Sequence, residues 1–318
     1  MALSGSFDFT VTRDSLIKTA MQNIGVIGEG VDPSTTQLTE NAIILNMIIK
    51  ARAADGMQAW SLHRSTVLPF TSTNAINYNS HVPFVYEVDA LNGNEASGQT
   101  VITVDTGTLF AASDDIGIEL DDNTVQWTTV SGAPSGNDIT LAAALTGAAS
   151  DNNKVFGYTA SSDRIQKPRR IISANIFNLD SDASWPIRVV SEQEFYKLGN
   201  LLTTGVPNLI YYEPTKQAVL SSMGCVIHYY PIFSDASHVI QFTYQRLLQD
   251  MDAAADNLEF PEEWYLAIMW ELMYNLCPKY GVPKEERLAF RSEWMDYLNL
   301  ALSSTTQEGE LKFVPDYA

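Results

Sequence analysis

Four histidines, two cysteines and a short acid-rich stretch are the side chains of this sequence that could do chemistry. His63, His81, His228 and His238 have neither the i, i+4 pairing nor the cysteine spacing of a metal site, so structural roles are expected. Cys225 and His228 would serve as nucleophile and base only if their side chains met. Three residues apart on a strand, they face opposite ways. Asp114, Asp115, Glu119, Asp121 and Asp122 offer oxygen ligands to a hard cation, but not in the regular order of a calcium loop, which leaves solvated turns. No G-x-S-x-G, phosphate loop or dinucleotide fingerprint occurs. No carboxylate pair stands out for glycoside chemistry, where the required separation is spatial. Lys167, Arg169 and Arg170 beside Pro168 form the only basic run, expected to be a solvated turn or an ion pair between subunits. The expectation is therefore no enzyme, no cofactor and no metal.

The remaining residues of note are aromatic. From Phe260 to Leu302, Trp264, Ala267, Ile268, Glu271, Leu272 and Leu276 recur at helical spacing, behind a start marked by Pro261, Glu262 and Glu263. Apart from Glu271 that face is apolar, and Tyr265, Met269, Trp270, Met273 and Tyr274 carry the apolar surface around the helix. Protein must cover most of it. Pro278 and Gly281 stop this helix, and Pro283 starts another with Leu288, Trp294, Leu298 and Ala301. Such a helical hairpin cannot bury its own aromatic surface. Trp264, Trp270 and Trp294 are expected in a core or at an interface with a partner, not in a ligand pocket.

The natural mate of the hairpin lies at the other chain end. Thr12 caps a helix through Asn23 that ends at Gly25, and a second helix is expected from Pro33 to Asp55-Gly56, with Trp60 just beyond. Between the helical ends the pattern alternates instead. Residues 82–88, 100–104, 116–120, 124–130 and 154–158 read as short strands, with a turn at Asp121, Asp122 and Asn123. Longer β-branched and aromatic runs follow from Arg170 to Arg246, interrupted by a helix capped at Ser191 and stopped at Gly199. Residues 247–258 are expected to be a loop. The fold class is α+β: a discontinuous α-helical bundle from both chain ends, plus a β region carrying an inserted small β-sandwich or barrel. The expected boundaries are 1–62 and 259–303 for the bundle, 63–83 and 161–258 for the β region, and 84–160 for the insertion. Residues 304–318 form a polar tether with Leu311, Phe313, Val314 and Tyr317 as its apolar anchor.

Charge narrows the class of partner. The 318 residues hold 19 Lys plus Arg against 38 Asp plus Glu, a net charge of −19. That balance disfavours tight grip on a phosphate backbone. Two cysteines make no disulfide framework. The first residues lack the basic start and apolar centre of a secretion signal, and no run of about eighteen apolar residues exists to cross a membrane. Assembly in a cytoplasm is expected.

The arrangement resembles the head-to-tail adaptor proteins of short-tailed bacteriophages. The residues that carry the likeness are Ile24-Gly25, Asp55-Gly56 with Trp60 beyond, and F-P-E-E-W at 260–264 leading to P-K-Y-G-V-P at 278–283. The insertion at 84–160 is not part of that pattern. What the resemblance implies is a virion protein at the head-tail junction: a ring of about twelve copies docked on the portal, retaining packaged DNA and offering a platform to tail or nozzle proteins. DNA would pass through its lumen without sequence-specific binding. The residues expected to meet partners are Leu311, Phe313, Val314, Tyr317, Trp264, Trp270 and Trp294. The competing reading is a carbohydrate-binding receptor-recognition component, or another tail or baseplate protein.

Overall fold

The computed structural model describes residues 9–54, 61–78, 80–214, 217–218, 222–223 and 225–305. The chain is α+β, with five α-helices and several sheets among the described residues. In chain order these are α1 (Arg13–Asn23), α2 (Thr35–Ala54), β1 (Leu62–Val67), β2 (Ala75–Asn77), β3 (Glu87–Ala90), β4 (Val101–Thr103), β5 (Asp115–Glu119), β6 (Val125–Thr129), β7 (Asp138–Thr140) and β8 (Lys154–Tyr158). There follow β9 (Pro168–Asn178), β10 (Ser184–Val189), α3 (Glu192–Phe195), β11 (Thr204–Gly205), β12 (Leu209–Glu213), β13 (Gln217–Ala218), β14 (Ser222–Met223), β15 (Val226–Tyr230), β16 (Ile232–Phe233), β17 (His238–Arg246), α4 (Tyr265–Leu276) and α5 (Lys284–Thr305). The chain forms two compact units, one from Met1–Ser61 with Leu248–Ala318, the other from Leu62–Leu247.

In the first unit, local signals fix the helix ends. Thr12 accepts a hydrogen bond from the Ser15 amide and caps α1 as expected. Helix α2 starts two residues later than Pro33, because Ser34 and Gln37 form a capping box: the Gln37 amide donates to Ser34 Oγ and the Ser34 amide to Gln37 Oε1. The Pro261 signal produces one 3-10 turn, Glu262–Trp264, before α4 begins. Gly281 takes φ +71° after α4, a left-handed turn that glycine adopts without strain. Leu16, Ile17, Met21, Leu45, Ile49, Trp264, Ile268, Leu272 and Ala301 belong to a single core. Residues 247–258 lack regular structure, as expected, yet they are more than a connector: Leu248, Met251 and Leu258 are buried in that core, and 248–258 belong to the helical unit.

The second unit holds a seven-stranded sheet in the order β1-β17-β9-β10-β12-β15-β2. The run at 82–88 becomes a strand only from Glu87, since Pro83 bridges Arg164 outside the regular ladder. Helix α3 is four residues long, well short of Gly199, with Ser191 accepting from the Glu194 amide. A four-stranded sheet, β3-β8-β5-β6, and the ribbon β4-β7 share a separate core of Leu91, Ile102, Ile116, Ile118, Ile139 and Val155. Strand β7 carried no clear sequence signal, with Ile139 its single buried residue.

Candidate interaction surface

The apolar face of α4 contains one acid, and α2 supplies its partner. Arg52 donates from Nε to Glu271 Oε2 and from Nη2 to Oε1, each at 2.7 Å, and Glu271 is only 6% exposed. A planar guanidinium fits a carboxylate in this two-bonded way. From α5, Trp294 lies over the guanidinium at 5.3 Å. Tyr274 stacks on Trp294 at 5.6 Å, and Arg287 sits 4.9 Å above Tyr274 and donates to its hydroxyl. A second aromatic set lies along the same seam, with Trp270 between Phe290 and Tyr297 at 5.9 and 6.0 Å. Arg287, Phe290, Trp294, Tyr297 and Ala301 alternate at three and four residues, so α5 presents one continuous face to this seam.

The three tryptophans expected to meet partners thus have different situations. Trp264, 1% exposed and packed on Phe260, is inside the core, where no partner reaches it. Trp270 and Trp294 are partly covered and belong to the seam. The indole Nε1–H of Trp294 is buried without an acceptor among the described residues. Leu311, Phe313, Val314 and Tyr317, and likewise Trp60, lie outside the described residues.

The surface that sequence reasoning missed is on the outer sides of these helices. Ile43 and Met47, one turn apart on α2 and turned away from Leu45 and Ile49, are 54% and 65% exposed. On α5, Leu288, Met295 and Leu302 recur every seven residues and are exposed too. The signal was present in α2, whose run of isoleucine, leucine and methionine from Ile43 to Ile49 is too wide for one buried face, so that Ile43 and Met47 fall on the outer side between Glu40 and Lys50.

The other chemically suggestive residues are occupied. His228 pairs with Glu213 at 3.1 Å and stacks on Tyr211 rather than serving Cys225. His238 meets Asp235 and Asn178. His81 is stacked between Phe70 and Trp127, at 5.3 and 4.1 Å, with its Nδ1 3.3 Å from the Tyr158 hydroxyl. Burial pulls its pKa down to about 4, opposed by Asp115 and helped by Arg164. The acidic stretch is spent on turns and ion pairing: Asp114 accepts from the Ala111 amide and Thr159, Asp115 pairs with Arg164, Asp121 accepts from the Ser150 amide and Asp122 from Thr124. No metal-holding group exists among the described residues. The run at 167–170, expected to be a solvated turn or an ion pair between subunits, is mostly the start of β9, and Arg170 donates to Gln245 across to β17. Burial pushes the Cys277 thiol up. Compared with known proteins, the chain matches no protein-family model and no curated protein.

Proposed function

We propose that this chain is a structural virion protein, a head-to-tail adaptor that forms a ring on the portal, helps retain packaged DNA and gives the tail its attachment platform. In this reading the helices from the two chain ends make the discontinuous bundle of the adaptor, and the two sheets around Ile116 and Ile139 make a small inserted sandwich. The observation that carries it is the pair of exposed apolar stripes on one helical unit, Ile43 with Met47 and Leu288 with Met295. Two different stripes suit a head-to-tail contact, in which the α2 stripe of one copy covers the α5 stripe of the next; repeated by rotation, that contact closes a ring. Occupied histidines and a spent acidic stretch support a role without catalysis.

Native mass spectrometry of the protein alone and with its portal protein tests the reading. The expected result is a closed ring, formed alone or on the portal. A stable trimer, or a monomer indifferent to the portal, would overturn it.

A further inference from the structure

One face of the seven-stranded sheet carries a feature that ring assembly does not use. Strand register places Arg64 opposite Thr243, Thr66 opposite Gln241, Gln241 opposite Asn175 and Thr243 opposite Ser173. Paired residues in an antiparallel ladder share a face, and so do residues two apart along a strand. All six side chains therefore project from one side of the β1-β17-β9 sheet, while Phe242, Ala174 and Ile176 project from the other into the core. Phe84 and Tyr86, from the segment that leads into β3, wall this polar patch and turn it into an open cavity of about 460 Å³. Phe84 is half exposed, its ring available to a ligand.

The lining is specific in what it holds and lacks. Arg64, Ser173, Asn175 and Thr243 make no side-chain hydrogen bond or ion pair with any described residue, so a guanidinium, an amide and two hydroxyls stand open around one space. Among the described residues no acid lines it, on a chain of net charge −19. Amides and hydroxyls donate and accept along a row of sugar hydroxyls, an aromatic ring covers the apolar face of a pyranose, and a guanidinium takes a carboxylate in a two-bonded fork. The volume lies within the range of small-ligand sites, roughly 300–1,000 Å³. We propose that this cleft binds an acidic saccharide, its carboxylate on Arg64 and its ring against Phe84. The site belongs to the β unit and stands whether or not the helical unit forms rings.

Saturation-transfer NMR and calorimetry on the full chain, with glucuronate, glucose and acetate as probes, test it. Transfer to the ring protons of glucuronate is expected, with glucose and acetate each binding at least about tenfold more weakly, since each lacks one half of the recognition. Arg64→Gln should weaken glucuronate about tenfold or more and leave thermal unfolding unchanged, because Arg64 supports no neighbour. Asn175→Ala is a second exposed change with the same expectation. Equal binding of acetate and glucuronate, unaltered binding in both variants, or no transfer at all would overturn the proposal.

Discussion

Arg52 of α2 holds Glu271 of α4 by two hydrogen bonds of 2.7 Å inside the helical unit, and Trp294 of α5 closes over the guanidinium. One ion pair thereby joins three helices, two of them more than two hundred residues away in sequence from the first. Removing one partner leaves a buried charge without compensation. Arg52→Ala is expected to cost about 3–5 kcal/mol in urea unfolding, and the double replacement Arg52→Met with Glu271→Leu to recover most of that loss. A single-variant loss under about 1 kcal/mol would mean that the pair is solvated.

This pair also marks how far the sequence could be read. Glu271 stood out as the one acid on an apolar helix face, but nothing local pointed to Arg52, because pairing across such a separation is set by packing. Helix ends were legible where a single side chain caps a backbone amide, as at Thr12. They shifted where two residues compete, as at Pro33, followed at once by the Ser34 and Gln37 box. Five strands of the seven-stranded sheet, β9, β10, β12, β15 and β17, showed through β-branched and aromatic runs, whereas β1 and β2 lie outside every stretch read as a strand. β7 did not, since three residues with one buried side chain make no period. The open cleft at Arg64 was invisible, being assembled from β1, β9 and β17 through register alone.

His81 is held neutral by burial, with a pKa of about 4 in the fold against an ordinary value of 6.5. The unfolded chain then binds the extra proton between these values, so stability is fully present above about pH 6.5 and falls as pH drops toward 4. The largest loss is about 3 kcal/mol. His81 also has φ +54°, a left-handed backbone that asparagine tolerates. His81→Asn should lower stability at pH 7 by removing the stacking with Phe70 and Trp127, and should flatten the slope between pH 6.5 and 4. Thermal unfolding across that range checks this, and an unchanged slope would assign the acid sensitivity elsewhere.

Gly157 of β8 lies against Phe110: a Cβ there would stand 2.5 Å from the ring. Gly117 of β5 is similarly placed beneath Trp127, at 2.8 Å. Either ring must move if the glycine becomes alanine, and both belong to packed clusters. Gly157→Ala is expected to destabilise the β unit by about 1–3 kcal/mol in denaturant unfolding. Gly132→Ala, with open space around it, serves as the control.

Deleting residues 304–318 removes Leu311, Phe313, Val314 and Tyr317 while sparing every described residue of the core, the last of which is Ala301. If these side chains lock the ring to the portal, the truncated chain keeps its thermal unfolding and its ring but loses affinity for the portal in native mass spectrometry. Unchanged portal binding would assign docking to another surface.

The two apolar stripes of the helical unit predict more than loss of assembly. Burying a methionine side chain contributes about 1.5–3 kcal/mol, and placing a carboxylate there reverses the sign. Met47→Glu and Met295→Glu should each yield monomers. Both residues are exposed in the single chain, so neither change should disturb its fold. In a head-to-tail ring each variant retains the stripe that the other has lost. Mixing the two should give one-to-one dimers and nothing larger, because a Met47→Glu copy still offers its α5 stripe and a Met295→Glu copy its α2 stripe. A two-fold contact of α2 on α2 would behave differently: Met295→Glu would self-associate unaided, and the mixture would gain nothing. Sedimentation of the separate and mixed variants distinguishes the two geometries.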